Sequence, residues 1–109
     1  MRMVKITIEN MGQKEVVAKD TRRTLLAHFL EHRIDWMHAC GGKGRCTTCR
    51  AQITRGAKNL TPDSPPEQKF RAQGLLLPDE RLCCQTIAMS EVQLRVPQDS
   101  QFPHVHYHD

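Results

Sequence analysis

Five cysteines, three of them between positions 40 and 49 and two adjacent, constrain this 109-residue chain more than any other feature. Cys40, Cys46 and Cys49 follow a C-x5-C-x2-C spacing, and Cys83 and Cys84 stand side by side further on. Cα atoms joined by a trans peptide lie about 3.8 Å apart, short of the ~5.5 Å typical of a disulfide, so the adjacent pair does not readily bridge itself. An odd count grouped in this way reads as a set of ligands rather than a secreted disulfide framework. The length suits one domain with a modest core, to which a metal centre would add stability.

Three thiolates on a loop and one from a distant segment can surround a two-iron cluster. Each iron is then tetrahedral in sulfur, with two bridging sulfides and two cysteines. Zinc also takes four thiolates, and Cys-x2-Cys is common to both metals. Structural zinc sites usually show two well-formed pairs. Adjacent side chains on an extended segment point to opposite sides, so Cys83 and Cys84 fit one mononuclear site poorly. Spacing therefore favours iron–sulfur and leaves zinc open.

The loop between Cys40 and Cys46 reads Gly41-Gly42-Lys43-Gly44-Arg45. It lacks the G-x-x-x-x-G-K-S/T order of a phosphate loop, and cysteines flank it. Its glycines can reach positive φ and bring backbone N–H groups close to a buried anion. N–H groups aimed at cluster sulfurs favour the reduced state, and Lys43, Arg45 and Arg50 would act in the same sense.

Periodicity supplies the frame. Val4, Ile6 and Ile8 alternate with Lys5 and Thr7 as a strand, Asn10-Met11-Gly12 reads as a turn, and Glu15–Lys19 as a second strand of a hairpin. Leu25, Leu26, Phe29, Leu30 and Ile34 predict a helix over about 22–33, capped by Thr21 or Thr24, with its apolar stripe on the sheet. Trp36 is expected in the core. Residues 50–54 alternate again, with Ala51 and Ile53 inward and Gly56 as the stop. Ser64-Pro65-Pro66-Glu67 is a capping-box start for a short helix that ends near Gly74 and offers Phe70 to the core. Val92, Leu94 and Val96 predict a last strand. The expected order is strand, strand, helix, strand, helix, strand: an α+β domain over 1–97, with a small mixed sheet, a helix packed across it and a second short helix. Residues 98–109 form a polar tail, solvated or partly docked. Its His104, His106 and His108 alternate, and a weak metal-binding tract is the rival reading.

Charge is uneven. Residues 1–39 carry seven basic and five acidic groups, residues 40–60 five basic and none acidic, and residues 61–109 four basic and seven acidic. The basic block coincides with the cysteine loop. It lacks a Lys/Arg stripe with interleaved aromatics, so nucleic acid is not an expected partner. No apolar run approaches the ~18 residues of a membrane span. The N-terminal alternation is a strand pattern rather than a signal peptide, and the cytoplasm is the expected setting.

Cys40-Gly41-Gly42-Lys43-Gly44-Arg45-Cys46-Thr47-Thr48-Cys49-Arg50, followed by Arg81-Leu82-Cys83-Cys84-Gln85, resembles the cluster loop and the Arg-Leu-Ala-Cys-Gln segment of the [2Fe–2S] ferredoxin family. The likeness covers nearly residues 2–97. The five-residue gap is similar to the adrenodoxin-like and bacterial branch rather than the plant-type loop. The resemblance implies a β-grasp fold and a [2Fe–2S] cluster held by Cys40, Cys46, Cys49 and Cys84. Cys83 takes the family's alanine position as a small buried hydrophobe.

The resemblance further implies a monomeric one-electron carrier, not an enzyme, working between a flavin-containing reductase and a redox acceptor enzyme through transient contacts. Acidic residues near the second helix are interrupted by Lys69, Arg71 and Arg81, so the partners of the adrenodoxin-like proteins do not simply carry over. A redox-sensing module built on the same cluster and a structural zinc protein are the competing readings.

Overall fold

The computed structural model describes residues 3–19, 22–39 and 47–107. Cys40, Cys46, the glycine loop with Lys43 and Arg45, Thr21 and His108 lie outside these residues. β1 (Val4–Ile8) and β2 (Lys14–Ala18) form the expected hairpin, in register from Val4 opposite Ala18 to Ile8 opposite Lys14. β2 begins one residue before the predicted strand; its Val16 and Ala18, opposite the buried Ile6 and Val4, point inward, and Val17 is exposed.

β3 (Arg50–Arg55) buries Ala51 and Ile53 and ends at Gly56, whose φ is +84°. A Cβ at Gly56 would lie 2.6 Å from the Glu91 carbonyl oxygen, so this stop is set by close backbone approach as well as by conformation. β5 (Val92–Arg95) pairs parallel with β1 and antiparallel with β3, which makes the last strand the centre of a five-stranded sheet of order β2-β1-β5-β3-β4. Buried Asn10 exchanges two 2.9 Å bonds with the backbone of Val96, tying the hairpin turn to the exit of β5.

β4 (Glu80–Leu82) corrects the predicted element order, which lacked it. Three residues at the sheet edge, paired only with β3 from Arg50–Leu82 to Gln52–Glu80, are too few for a period to register.

α1 (Leu25–Glu31) is shorter than predicted at both ends. Thr24 is the cap, extended in backbone and accepting from the Ala27 N–H at 3.2 Å, so the helix cannot begin earlier. Its end is a Schellman turn. Arg33 takes φ +59°, its N–H reaches the Leu30 carbonyl at 3.1 Å, and Ile34 N–H reaches Phe29 at 2.9 Å. Leu25, Leu26 and Phe29 are buried together with Ile34 and Trp36 in one core with the sheet. Phe29 and Trp36 stack with centroids 4.4 Å apart.

α2 (Pro65–Ala72) keeps the predicted capping box, with Ser64 accepting from Glu67 N–H at 3.3 Å and Glu67 accepting from Ser64 N–H at 2.9 Å. Gly74, at φ +74°, closes the matching Schellman turn. Phe70 only partly reaches the core; the residue of α2 that is fully buried is Glu67. The C-terminal segment docks rather than floats. A 3₁₀ turn at Gln98–Ser100 is followed by His104, bonded to Asp35 at 2.9 Å, and Tyr107 packs against the core.

Candidate metal centre

Cys49 and Cys84 come together from two segments. Cys49 ends the turn that runs into β3, and Cys84 follows β4 in the partner strand's continuation. The pairing of Arg50 with Leu82 extends one step, so Cys83 N–H reaches the Cys49 carbonyl at 3.3 Å. The same carbonyl accepts the buried Trp36 indole N–H at 2.9 Å. Two bonds on one oxygen fix the backbone at Cys49.

The segment carrying Cys84 is held by the start of α1. Leu25 and Leu26 N–H groups, unpaired within their own helix, bond to the Thr86 carbonyl at 2.8 Å and the Cys83 carbonyl at 3.0 Å. At the mouth of the cysteine loop, Ala39 N–H donates to the Thr48 hydroxyl at 2.8 Å. The residues preceding Cys40 and Cys49 therefore meet.

Both sulfur-bearing side chains are largely enclosed, Cys49 at 1% exposure and Cys84 at 7%. The Cys84 side chain facing it, then burial and the neighbouring Cys83, push the Cys49 thiol well above the ordinary thiol range. Two thiolates side by side repel each other, and only a cation between them, such as iron, lets both ionise. N–H donors already serve the sulfurs. Gln85 Nε2 lies 3.6 Å from Cys84 Sγ, and the Cys84 backbone N–H favours the Cys49 thiolate. This donor set fits half of a four-thiolate iron–sulfur site. Cys83 is fully buried as well, and burial, then the charges of Cys84 and Glu67, push its thiol up despite Arg81.

Several contributors had no local signal. Trp36 read only as core, yet its indole holds Cys49. Glu67 read only as a capping residue, yet its Oε2 accepts from Arg81 Nε at 2.7 Å, Leu82 N–H at 2.9 Å and the Thr86 hydroxyl at 3.1 Å. One carboxylate thus grips the chain on both sides of Cys84. Burial alone would raise the Glu67 pKa; hydrogen bonds from Arg81, Ser64 and Leu82 and the Arg81 charge outweigh it and hold the carboxyl below its ordinary value. Its partners Arg81, Leu82 and Thr86 lie 14 to 19 residues away in sequence, which no short motif encodes.

Of the basic side chains expected around the site, Arg50 alone is described. Arg50 is paired with Glu80 and Asp99, and only Lys43 and Arg45 of the basic loop lie outside the described residues.

A mixed sheet clasping one helix, with two enclosed cysteines converging beside it, defines a β-grasp iron–sulfur domain. The chain belongs to the family of 2Fe-2S iron-sulfur cluster binding domains, whose model matches residues 8–89, and the family's cofactor is the [2Fe–2S] cluster. A 2Fe-2S ferredoxin-5 of Aquifex aeolicus (strain VF5) is 35% identical over 63 residues, 57% of this chain and 66% of that relative.

Two solved structures share the fold. The ISC-like [2Fe-2S] ferredoxin of Pseudomonas putida JCM 20004 superposes with a TM-score of 0.68 at 24% identity, covering 90% of this chain and 94% of the other. A ferredoxin reductase in carbazole 1,9a-dioxygenase gives 0.68 at 24%, over 96% of this chain but 29% of that one. The chain thus spans just under two thirds of the curated relative and less than a third of the reductase.

Proposed function

We propose that the chain is a one-electron carrier, not an enzyme, whose [2Fe–2S] cluster is held by Cys40, Cys46, Cys49 and Cys84. The observation that carries the reading is the convergence of Cys49 and Cys84, enclosed, N–H-bonded and facing each other; Cys83 is left out of the ligand set as the buried residue at the family's alanine position. When bound, the cluster supplies one reversible electron. The chain's own residues do the rest. Trp36, Leu25 and Leu26 fix the two cysteine segments, Gln85 Nε2 and the Cys84 N–H serve the sulfurs, and Ala39 and Thr48 draw the loop's ends together.

The donor in this proposal is a flavin-containing reductase, and the acceptor a redox enzyme met through transient contacts. Occurrence of the same fold within a larger ferredoxin reductase supports a reductase as neighbour in the electron path. In this proposal the chain is a monomer in the cytoplasm, where thiols are kept reduced. Among the described residues no helix is long and apolar enough to cross a membrane.

The test is metal and sulfide content with electron resonance. Two irons and two sulfides per chain, and a rhombic signal only after one-electron reduction, are expected; a colourless protein with one zinc would sink the reading. Cys84→Ser should abolish the cluster signal, whereas Cys83→Ser should retain most of it. Equal loss in both would remove Cys84 from its assigned role.

A further inference from the structure

Arg50 directly follows Cys49, yet its side chain turns away from solvent, at 14% exposure, and binds three separate stretches of chain. Nη1 donates to the Thr47 carbonyl at 3.1 Å, at the exit of the cysteine loop. Nε lies 3.3 Å from Glu80 Oε2 at the start of β4. Glu80 is itself held, its Oε1 accepting from Leu77 N–H at 2.9 Å, and is nearly buried. Nη2 pairs with Asp99, in the 3₁₀ turn beyond β5. From there the segment continues to His104, bonded to Asp35 on the run that leads to Cys40. The C-terminal segment therefore reaches both flanks of the cysteine loop.

We propose that Arg50 is a positioning residue for the cluster and that the C-terminal turn is its fastening. Glu80 holds the guanidinium on the sheet, the guanidinium holds the Thr47 carbonyl, and Asp99 closes the fork from the far end of the domain. The role rests on the reading of Cys49 as a ligand. It needs arginine in particular. A planar guanidinium can bond three acceptors in fixed directions at once, which a lysine ammonium on a flexible stem cannot reproduce. It also has an electrostatic signature. One cation stands between two carboxylates beside an electron site, so deleting Arg50 and deleting the Asp99 charge push the potential in opposite directions.

The experiment uses the holoprotein, with iron and sulfide measured first. Arg50→Gln, Arg50→Lys and Asp99→Asn are then compared for the rate of cluster bleaching under a chelator and for midpoint potential. Loss of a charge-assisted clamp should speed bleaching about tenfold in Arg50→Gln and about threefold in Arg50→Lys and Asp99→Asn. The potential should move negative in Arg50→Gln and positive in Asp99→Asn. Asp99 is largely exposed, so its variant folds and keeps the test open even if Arg50→Gln fails to assemble. Arg50→Lys matching the parent in both measurements, or Asp99→Asn changing neither, overturns the clamp alone. Parent protein without iron and sulfide overturns the ligand reading together with it.

Discussion

α1 and α2, helices of seven and eight residues, both start at a hydroxyl cap and stop before a left-handed residue, yet opposite means attach them to the sheet. α1 lays Leu25, Leu26 and Phe29 into the core, and water release from those side chains is its anchor. α2 buries one side chain fully, and that is a carboxylate. Glu67 holds Arg81, Leu82 and Thr86 in a polar socket in place of an apolar one. An apolar anchor is non-directional and tolerates small shifts. A socket of directed hydrogen bonds tolerates few, and it stands on either side of Cys84.

The largest expected effect on this contrast is Phe29→Ala, which removes the ring stacked on Trp36 and should cost about 4 kcal/mol in denaturant unfolding. A loss under half of that would mean the helix is not held mainly by its apolar face. Glu67→Gln keeps the shape but leaves Arg81 with Asp63 alone as its carboxylate partner at 3.2 Å, and should cost about 2 kcal/mol. An unchanged midpoint would show the socket to be decorative.

The same carboxylate gives the contrast a pH dependence. Its folded pKa is depressed, so its stabilisation is complete above the unfolded value of about 4.3 and is lost as pH falls through the folded value. Melting temperature should fall as pH drops below about 4.3, and Glu67→Gln should flatten that slope. Parallel slopes in parent and variant would assign the acid sensitivity elsewhere. The smallest effect is at the caps. Thr24→Ala and Ser64→Ala should each cost about 1 kcal/mol, since each removes one side-chain acceptor while the Ser64 backbone N–H keeps its bond to Glu67.

What could be read from residues alone follows the same division. The strands at Val4–Ile8 and Val92–Arg95, the capping box at Ser64 and the glycine stop at Gly74 are local and appear where expected, although Thr7, read as an outward position, is buried and the last strand stops before Val96. The end of α1 was not legible, because Arg33 rather than a glycine takes the left-handed position there. β4 escaped because pairing with β3, not its own pattern, makes it a strand. At the site, the cysteine spacing and the family likeness point to the ligands. The bonds that orient them, from Trp36, Thr48 and Glu67, join residues far apart in sequence and leave no periodic trace.

The central place of β5 has a consequence for biosynthesis. Until residues 92–95 emerge from the ribosome, the β1–β2 hairpin and the β3–β4 pair share no neighbour, and the nascent domain is two unjoined halves. Long-range closure of this kind makes folding late and comparatively slow. Cys49 and Cys84 flank the β3–β4 pair, so the candidate site belongs to the half that only the final strand joins to the hairpin.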